Sequence, residues 1–289
     1  MKEAIRVAET INWFPGHMYK ATKLVKENIK NIDVFLEIRD ARVPYSSRNH
    51  ELDAIIQEHN KPKVILFNKM DLCNQPLTNK VINDFNNTKI HSIGLSAQMG
   101  VNIAKITQKA KELRPAKFNT VGMWMMVGGM PNVGKSTILN ALRNQSHTPE
   151  TKKSVAKTGP LPCVTRGVSG FKINQNPVMF VVDTPGIMVP RILDEEAGLK
   201  LSIVGCIKDT IVGKDILVDY LVSFLNKKKV YKYVKHYELP APVSRGYDLI
   251  QYVNDKYKHN NLEATYDMIL GHFRDGKIGR VTFDDVILE

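Results

Sequence analysis

The sequence has little of what marks secreted, membrane-spanning or zinc-binding chains. Its three cysteines, Cys73, Cys163 and Cys206, are odd in number, far apart and unlike any zinc spacing. They exclude a disulfide framework and read as buried thiols in a reducing compartment. No apolar run approaches the roughly 20 residues a helix needs to span a bilayer, so no transmembrane segment is expected. Met1–Thr10 mixes both signs of charge and has no apolar centre, which argues against a secretory signal, and no acid-poor transit peptide is evident. Acidic residues are scarce too, with 41 Lys+Arg against 29 Asp+Glu and a net charge of +12. The whole excess lies in residues 1–190, which hold 26 basic and 14 acidic residues, whereas residues 191–289 hold 15 of each. A basic face suits an anionic partner, nucleic acid first, although a merely soluble basic protein stays open on charge alone.

What is present starts with Gly129-Met130-Pro131-Asn132-Val133-Gly134-Lys135-Ser136. The apolar run Met123–Val127 precedes it and Thr137–Leu142, with helical spacing, follows it. Strand, G-x-x-x-x-G-K-S, helix is the context a phosphate-binding loop requires, and it outweighs a plain glycine-rich turn. Glycines let the backbone wrap a phosphate, with Asn132, Val133, Gly134 and Thr137 offering N–H groups at the positive end of a helix. Lys135 would reach the β and γ phosphates and the Ser136 hydroxyl would hold Mg²⁺. The chain is expected to bind a nucleoside triphosphate.

Around that loop the chain reads as alternating strands and helices. Ile32–Ile38, Val64–Phe67, Ile90–Leu95, the strand entering the loop and Val178–Val182 are expected strands. Helices are expected near residues 20–30, 51–59, 79–86 and 103–113. This alternation predicts an α/β fold with a doubly wound, mostly parallel sheet. Residues 145–161 are polar and read as a switch loop. Beyond residue 190 the pattern turns to helices at 197–204, 216–225, 244–254 and 262–271. The expected division is a nucleotide-binding domain over residues 1–190 and a smaller, all-helical domain over residues 191–289.

Base selection reads from Asn68-Lys69-Met70-Asp71, directly after the second strand. The Asp71 carboxylate can accept from N1–H and the exocyclic amine of guanine, and adenine presents neither donor, so GTP and GDP are the expected nucleotides. Asn68 would contact the guanine edge and tie this loop to the phosphate loop. Ser96-Ala97, after the third strand, would support the base through a backbone N–H. Asp183-Thr184-Pro185-Gly186 ends the fifth strand, with Asp183 a metal-holding group and the Gly186 N–H a sensor of the γ-phosphate. Thr165 is the candidate switch threonine that completes the Mg²⁺ shell. In a conventional GTPase the phosphate loop comes first; here N-K-x-D and S-A precede it. The five elements are in rotated order, which is circular permutation of one sheet, tolerated because domain termini usually lie close together.

With Trp13-Phe14-Pro15-Gly16-His17-Met18, Asp40-Ala41-Arg42-Val43-Pro44, Ser47-Arg48-Asn49, Pro190-Arg191, Gly198–Leu201 and Asp219-Tyr220-Leu221, the chain resembles the circularly permuted ribosome-assembly GTPases. That family includes bacterial ribosome biogenesis GTPase A and its mitochondrial ribosome-associated counterpart, and the later motifs are more similar to the mitochondrial members. The resemblance implies GTP hydrolysis coupled to assembly of the large ribosomal subunit and contact with its rRNA. It also implies a mitochondrial setting at the matrix side of the inner membrane, with peripheral membrane association; the bacterial cytoplasm is the alternative. A nucleotide-gated rRNA-binding or membrane-associated factor with no hydrolysis-timed role is the runner-up.

Ile187 stands where a Ras-like enzyme has its water-orienting glutamine. The family's histidine, here His17, is the implied catalytic group, against a plain reading as a turn into the first helix. Asn132 resembles the K⁺ ligand of potassium-stimulated relatives, against a solvent-facing loop residue. Asn226–Tyr237 interleaves lysines with tyrosines and suits RNA phosphates and bases, against a solvated helix end with its tyrosines packed inward.

Overall fold

The computed structural model describes residues 16–113, 122–146, 158–160, 169–175, 177–184 and 194–285. Helix α1 (Gly16–Asn28) leads into β1 (Val34–Asp40), α2 (His50–Glu58), β2 (Lys63–Asn68), α3 (Gln75–Asn87), β3 (Ser92–Gly94) and α4 (Ala104–Leu113). Strand β4 (Met123–Gly129), α5 (Lys135–Ser146), β5 (Thr158–Pro160), β6 (Ser169–Gln175) and β7 (Val178–Asp183) complete one sheet in the order β3-β2-β1-β4-β7-β6-β5. The first five strands in that order pair in parallel, and β6 and β5 add antiparallel at one edge.

The alternation of side chains along the strands puts helices on both faces. Val34, Leu36, Ile38, Val64 and Leu66 share a cluster with Ile106 and Ala110 of α4 and Ile138 and Leu142 of α5. Phe35 turns to the opposite face and packs with Val25, Ile29, Leu52, Ile55 and Trp124. Helix ends are set locally: the Asn49 side chain accepts from Glu51 and Leu52 N–H, and Asn74 accepts from Leu77 N–H.

Helices α6 (Glu195–Ile203), α7 (Asp209–Val212), α8 (Lys214–Lys227), α9 (Lys232–Tyr237), α10 (Gly246–Tyr257) and α11 (Leu262–Arg274) follow. Their buried residues, among them Leu201, Leu221, Ile250 and Phe273, belong with Phe283 beyond α11 to the same cluster as Leu36 and Leu66 of the sheet. Residues 281–284 are buried against the turn after β1. There Phe283 N–H donates to Arg42 O (2.7 Å) and Asp284 Oδ2 accepts from Tyr45 N–H (2.7 Å) and Ser46 N–H (2.9 Å).

Three expectations change. The sheet gains β5 and β6, and β5 and the end of α5 fall inside the stretch expected to be a polar loop; residues 147–157 are outside the described set. Strand β3 is three residues long, shorter than Ile90–Leu95. In the Lys/Tyr stretch, Tyr233 and Tyr237 are fully buried and Tyr231 is 44% exposed, so most of its aromatic surface is core. Cys73 and Cys206 are free buried thiols, and burial pushes them up to about 11 and about 12 respectively, which keeps both inert; Cys163 lies outside the described residues.

Candidate nucleotide site

Parallel strands end together, so the motifs that follow β1, β2, β3, β4 and β7 gather at one edge of the sheet. Asp40 pairs with Asn68 across β1 and β2, and Asp183 pairs with Val127 across β7 and β4. The base motif and the phosphate loop are then tied directly. Asn68 Nδ2 donates to Val133 O (2.9 Å), Asn68 Oδ1 accepts from Ala97 N–H (3.0 Å), and Lys69 Nζ donates to Asn132 O (2.7 Å). One asparagine thus holds three loops together. The Ala97 N–H expected to support the base serves this tie, while Ser96 Oγ accepts from Met99 N–H (3.3 Å). Gly134 has φ +97, and a Cβ there would lie 2.2 Å from Asn68 Nδ2. Only glycine permits the approach.

Asp71 Oδ1 is buried and has no hydrogen-bond partner within the described residues. A buried carboxylate oxygen without a donor is costly, and the two donors on the guanine edge would supply what it lacks. The residues present therefore fit the base.

At the phosphate end, Lys135 is buried, with Nζ donating to Met130 O (2.7 Å) and Gly129 O (3.2 Å). Burial lowers its pKa to about 8, with Asp183 and Cys206 partly opposing the shift. A cation so placed gains from any anion brought to it. Ser136 and Thr137 stand in the first turn of α5, where backbone N–H groups have no helical partner. The Asp183 pKa is raised from its ordinary value, chiefly by desolvation and against the pull of Lys135. Ser136 and Asp183 offer the hard oxygen donors Mg²⁺ takes, with substrate phosphates completing its shell. Such an ion would neutralise charge on the β and γ phosphates.

Asn132 has φ +57, and its Nδ2 donates to Gly205 O (2.8 Å) beyond α6. His17 lies in the first turn of α1; its side chain, like all of Thr165 and Gly186, lies outside the described residues.

Sequence reading missed one participant in its own right. Asp40 is fully buried and pairs with both Arg42 (2.8 Å) and Lys69 (2.9 Å). Desolvation opposes its charge, but these two cations hold its carboxyl far below the usual range. The signal available was an Asp-x-Arg placed at the end of an apolar strand.

Comparison with known proteins agrees with this arrangement. Residues 125–241 match the family model described as 50S ribosome-binding GTPase. Ribosome biogenesis GTPase A of Priestia megaterium is 34% identical, over 96% of this chain and 97% of that one. Mitochondrial ribosome-associated GTPase 1 of Mus musculus is 32% identical, over 97% and 92% respectively. The crystal structure of GNP-bound YlqF from T. maritima superposes with a TM-score of 0.63 at 21% identity, covering 92% of this chain and 97% of that one. That likeness establishes the fold.

Proposed function

Because the chain belongs to the family of ribosome biogenesis GTPase A and mitochondrial ribosome-associated GTPase 1, we propose that it hydrolyses GTP during assembly of the large ribosomal subunit. The observation that carries the nucleotide's identity is the buried, unpartnered Asp71 Oδ1 beside a base loop tied to the phosphate loop. Asn68, Lys69, Asp71, Ser96 and Ala97 form the base side in this reading. Asn132 to Thr137, with Gly186, form the phosphate side, and Ser136, Thr165 and Asp183 hold Mg²⁺. Asp71→Asn tests it. Two charge-assisted hydrogen bonds at ~1.5–3 kcal/mol each put the loss of GTP affinity on the order of 10²–10⁴-fold. The same change should admit xanthosine triphosphate, whose C2 carbonyl accepts from the new amide. Unaltered selectivity for GTP would contradict the assignment of Asp71.

Residues 1–190 are the nucleotide-binding domain in this proposal, and residues 191–289 the part that contacts the ribosomal particle and its rRNA. Mitochondrial relatives support a mitochondrial location, with the matrix side of the inner membrane and a peripheral membrane contact as the finer proposal. No described helix is long and apolar enough to cross a membrane.

For catalysis, Ile187 cannot orient water, and His17 is the group proposed to do so. K⁺ held through Asn132 would supply the charge of an arginine finger; the Asn132 Oδ1 is the atom that would bind it, its Nδ2 being engaged with Gly205. One assay addresses both: particle-stimulated turnover of wild type and His17→Ala, each in K⁺ and in Na⁺. The expected outcome is a loss of about tenfold or more in kcat for His17→Ala with nucleotide affinity held, and slower wild-type turnover in Na⁺. Equal rates for the two proteins remove His17, and equal rates in the two salts remove the ion.

A further inference from the structure

Helix α6 ends in a Schellman turn. Cys206 N–H donates to Leu201 O (2.9 Å) and Gly205 N–H to Ser202 O (2.9 Å). Gly205 takes φ +82, a conformation that suits a residue without a Cβ. Four successive carbonyls around this turn are then taken by side chains from three distant segments. Arg274 of α11 donates to Ser202 O (2.8 Å) and Ile203 O (3.0 Å). Arg42, after β1, donates to Val204 O (3.1 Å), and Asn132 of the phosphate loop donates to Gly205 O (2.8 Å). A helix C-terminus carries partial negative charge, so the two guanidiniums complement it.

Two of those donors close a ring with the base loop. Arg42 Nε and Nη2 are bidentate on Asp40 (2.9 and 2.8 Å), Asp40 Oδ2 pairs with Lys69 Nζ (2.9 Å), and Lys69 Nζ donates to Asn132 O (2.7 Å). From Asn132 the path returns through Gly205 and Val204 to Arg42. Asp40 and Arg42 are 0% and 1% exposed, so water cannot substitute for either partner. The carbonyls left open at a helix end can be met by solvent or by local donors. Here the cap draws on the phosphate loop directly, through Asn132, and on the base loop indirectly, through Arg42, Asp40 and Lys69.

We propose that Arg42 is a positioning residue for guanine-nucleotide binding, acting through Asp40 on Lys69, and that this linkage couples nucleotide occupancy to the Ser202–Cys206 turn of the helical segment. The inference rests on the guanine-nucleotide reading given above. Coupling of this kind is reciprocal: whatever loosens the turn weakens nucleotide binding, and bound nucleotide steadies the turn. Arg42→Lys keeps the charge but cannot span both Asp40 and Val204.

The test combines GDP release with hydrogen–deuterium exchange on the full chain. In wild type, GDP should slow exchange at the amides of both the phosphate loop and residues 202–206. Arg42→Lys should release GDP at least about fivefold faster, the lower end of typical coupling. In that variant GDP should still protect the phosphate loop but no longer protect residues 202–206. Arg274→Lys, which touches neither Asp40 nor Lys69, should speed release in the same direction, and it serves alone if Arg42→Lys does not fold. GDP release within twofold of wild type in the folded variants, or protection at 202–206 that survives Arg42→Lys, overturns the coupling while leaving guanine binding intact. Failure of the wild type to bind GDP would instead remove the reading beneath it.

Discussion

Lys135 carries the pH dependence expected of the site. Its pKa is lowered to about 8 by burial, so the protein without nucleotide loses half of this charge by that pH and most of the rest in the next unit. In the unfolded chain the group stays protonated to its ordinary pKa of 10.5. The folded state thus binds fewer protons between about 8 and 10.5, and this lysine's cost to stability eases as pH rises through that window. Nucleotide phosphates restore the charged form, so binding near pH 9 should take up a fraction of a proton and affinity should fall as pH climbs above about 8. Calorimetry in two buffers of different ionisation enthalpy reads this directly, and identical heats in both would contradict it. At this scale the sequence was most informative where chemistry is local. Lys135, Asp71 and Asn68 stand within short motifs whose spacing carries the role proposed for each, and the Asn68 tie between loops is seen directly. Asp40 and Arg42 were visible only as a family signature, because the Arg42 partner Val204 is 162 residues away and no spacing rule reaches that far.

Among elements, the parallel strands and flanking helices were legible from apolar runs and 3.6-residue spacing, whereas β5 and β6 were not. Strand β6 buries Phe171 and Ile173 between polar neighbours and begins Ser169-Gly170, and β5 is Thr158-Gly159-Pro160. Pairing of β6 with β7, and of β5 with β6, creates the strands; little in their composition announces them. The segment 281–285 was equally silent, since its structure comes from docking. Asp284 accepts from Tyr45 and Ser46 N–H and from Ser46 Oγ, and it lies 3.6 Å from Lys200. Asp284→Ala leaves two part-buried N–H groups without their acceptor, at a cost of about 1–3 kcal/mol each at most. Thermal unfolding should drop by several degrees at this chain length. An unchanged melting temperature would show that water replaces the carboxylate without loss.

For the whole molecule, rotated motif order leaves the sheet and its site intact and changes what the chain does next. The motif that opens with Asp183 at the end of β7 now leads toward α6, whose far end is capped by Arg42, Asn132 and Arg274. Nucleotide loops and helical segment therefore share polar contacts as well as one continuous core. That arrangement suits an enzyme whose nucleotide state is read by a large partner through its helical part. The most direct measurement is GTP turnover with and without large-subunit assembly particles, with ATP as the control nucleotide. Stimulation of GTP hydrolysis by an order of magnitude or more, with ATP untouched, is the expected result. A rate indifferent to the particles, or shared by ATP, would contradict a GTPase timed by ribosome assembly.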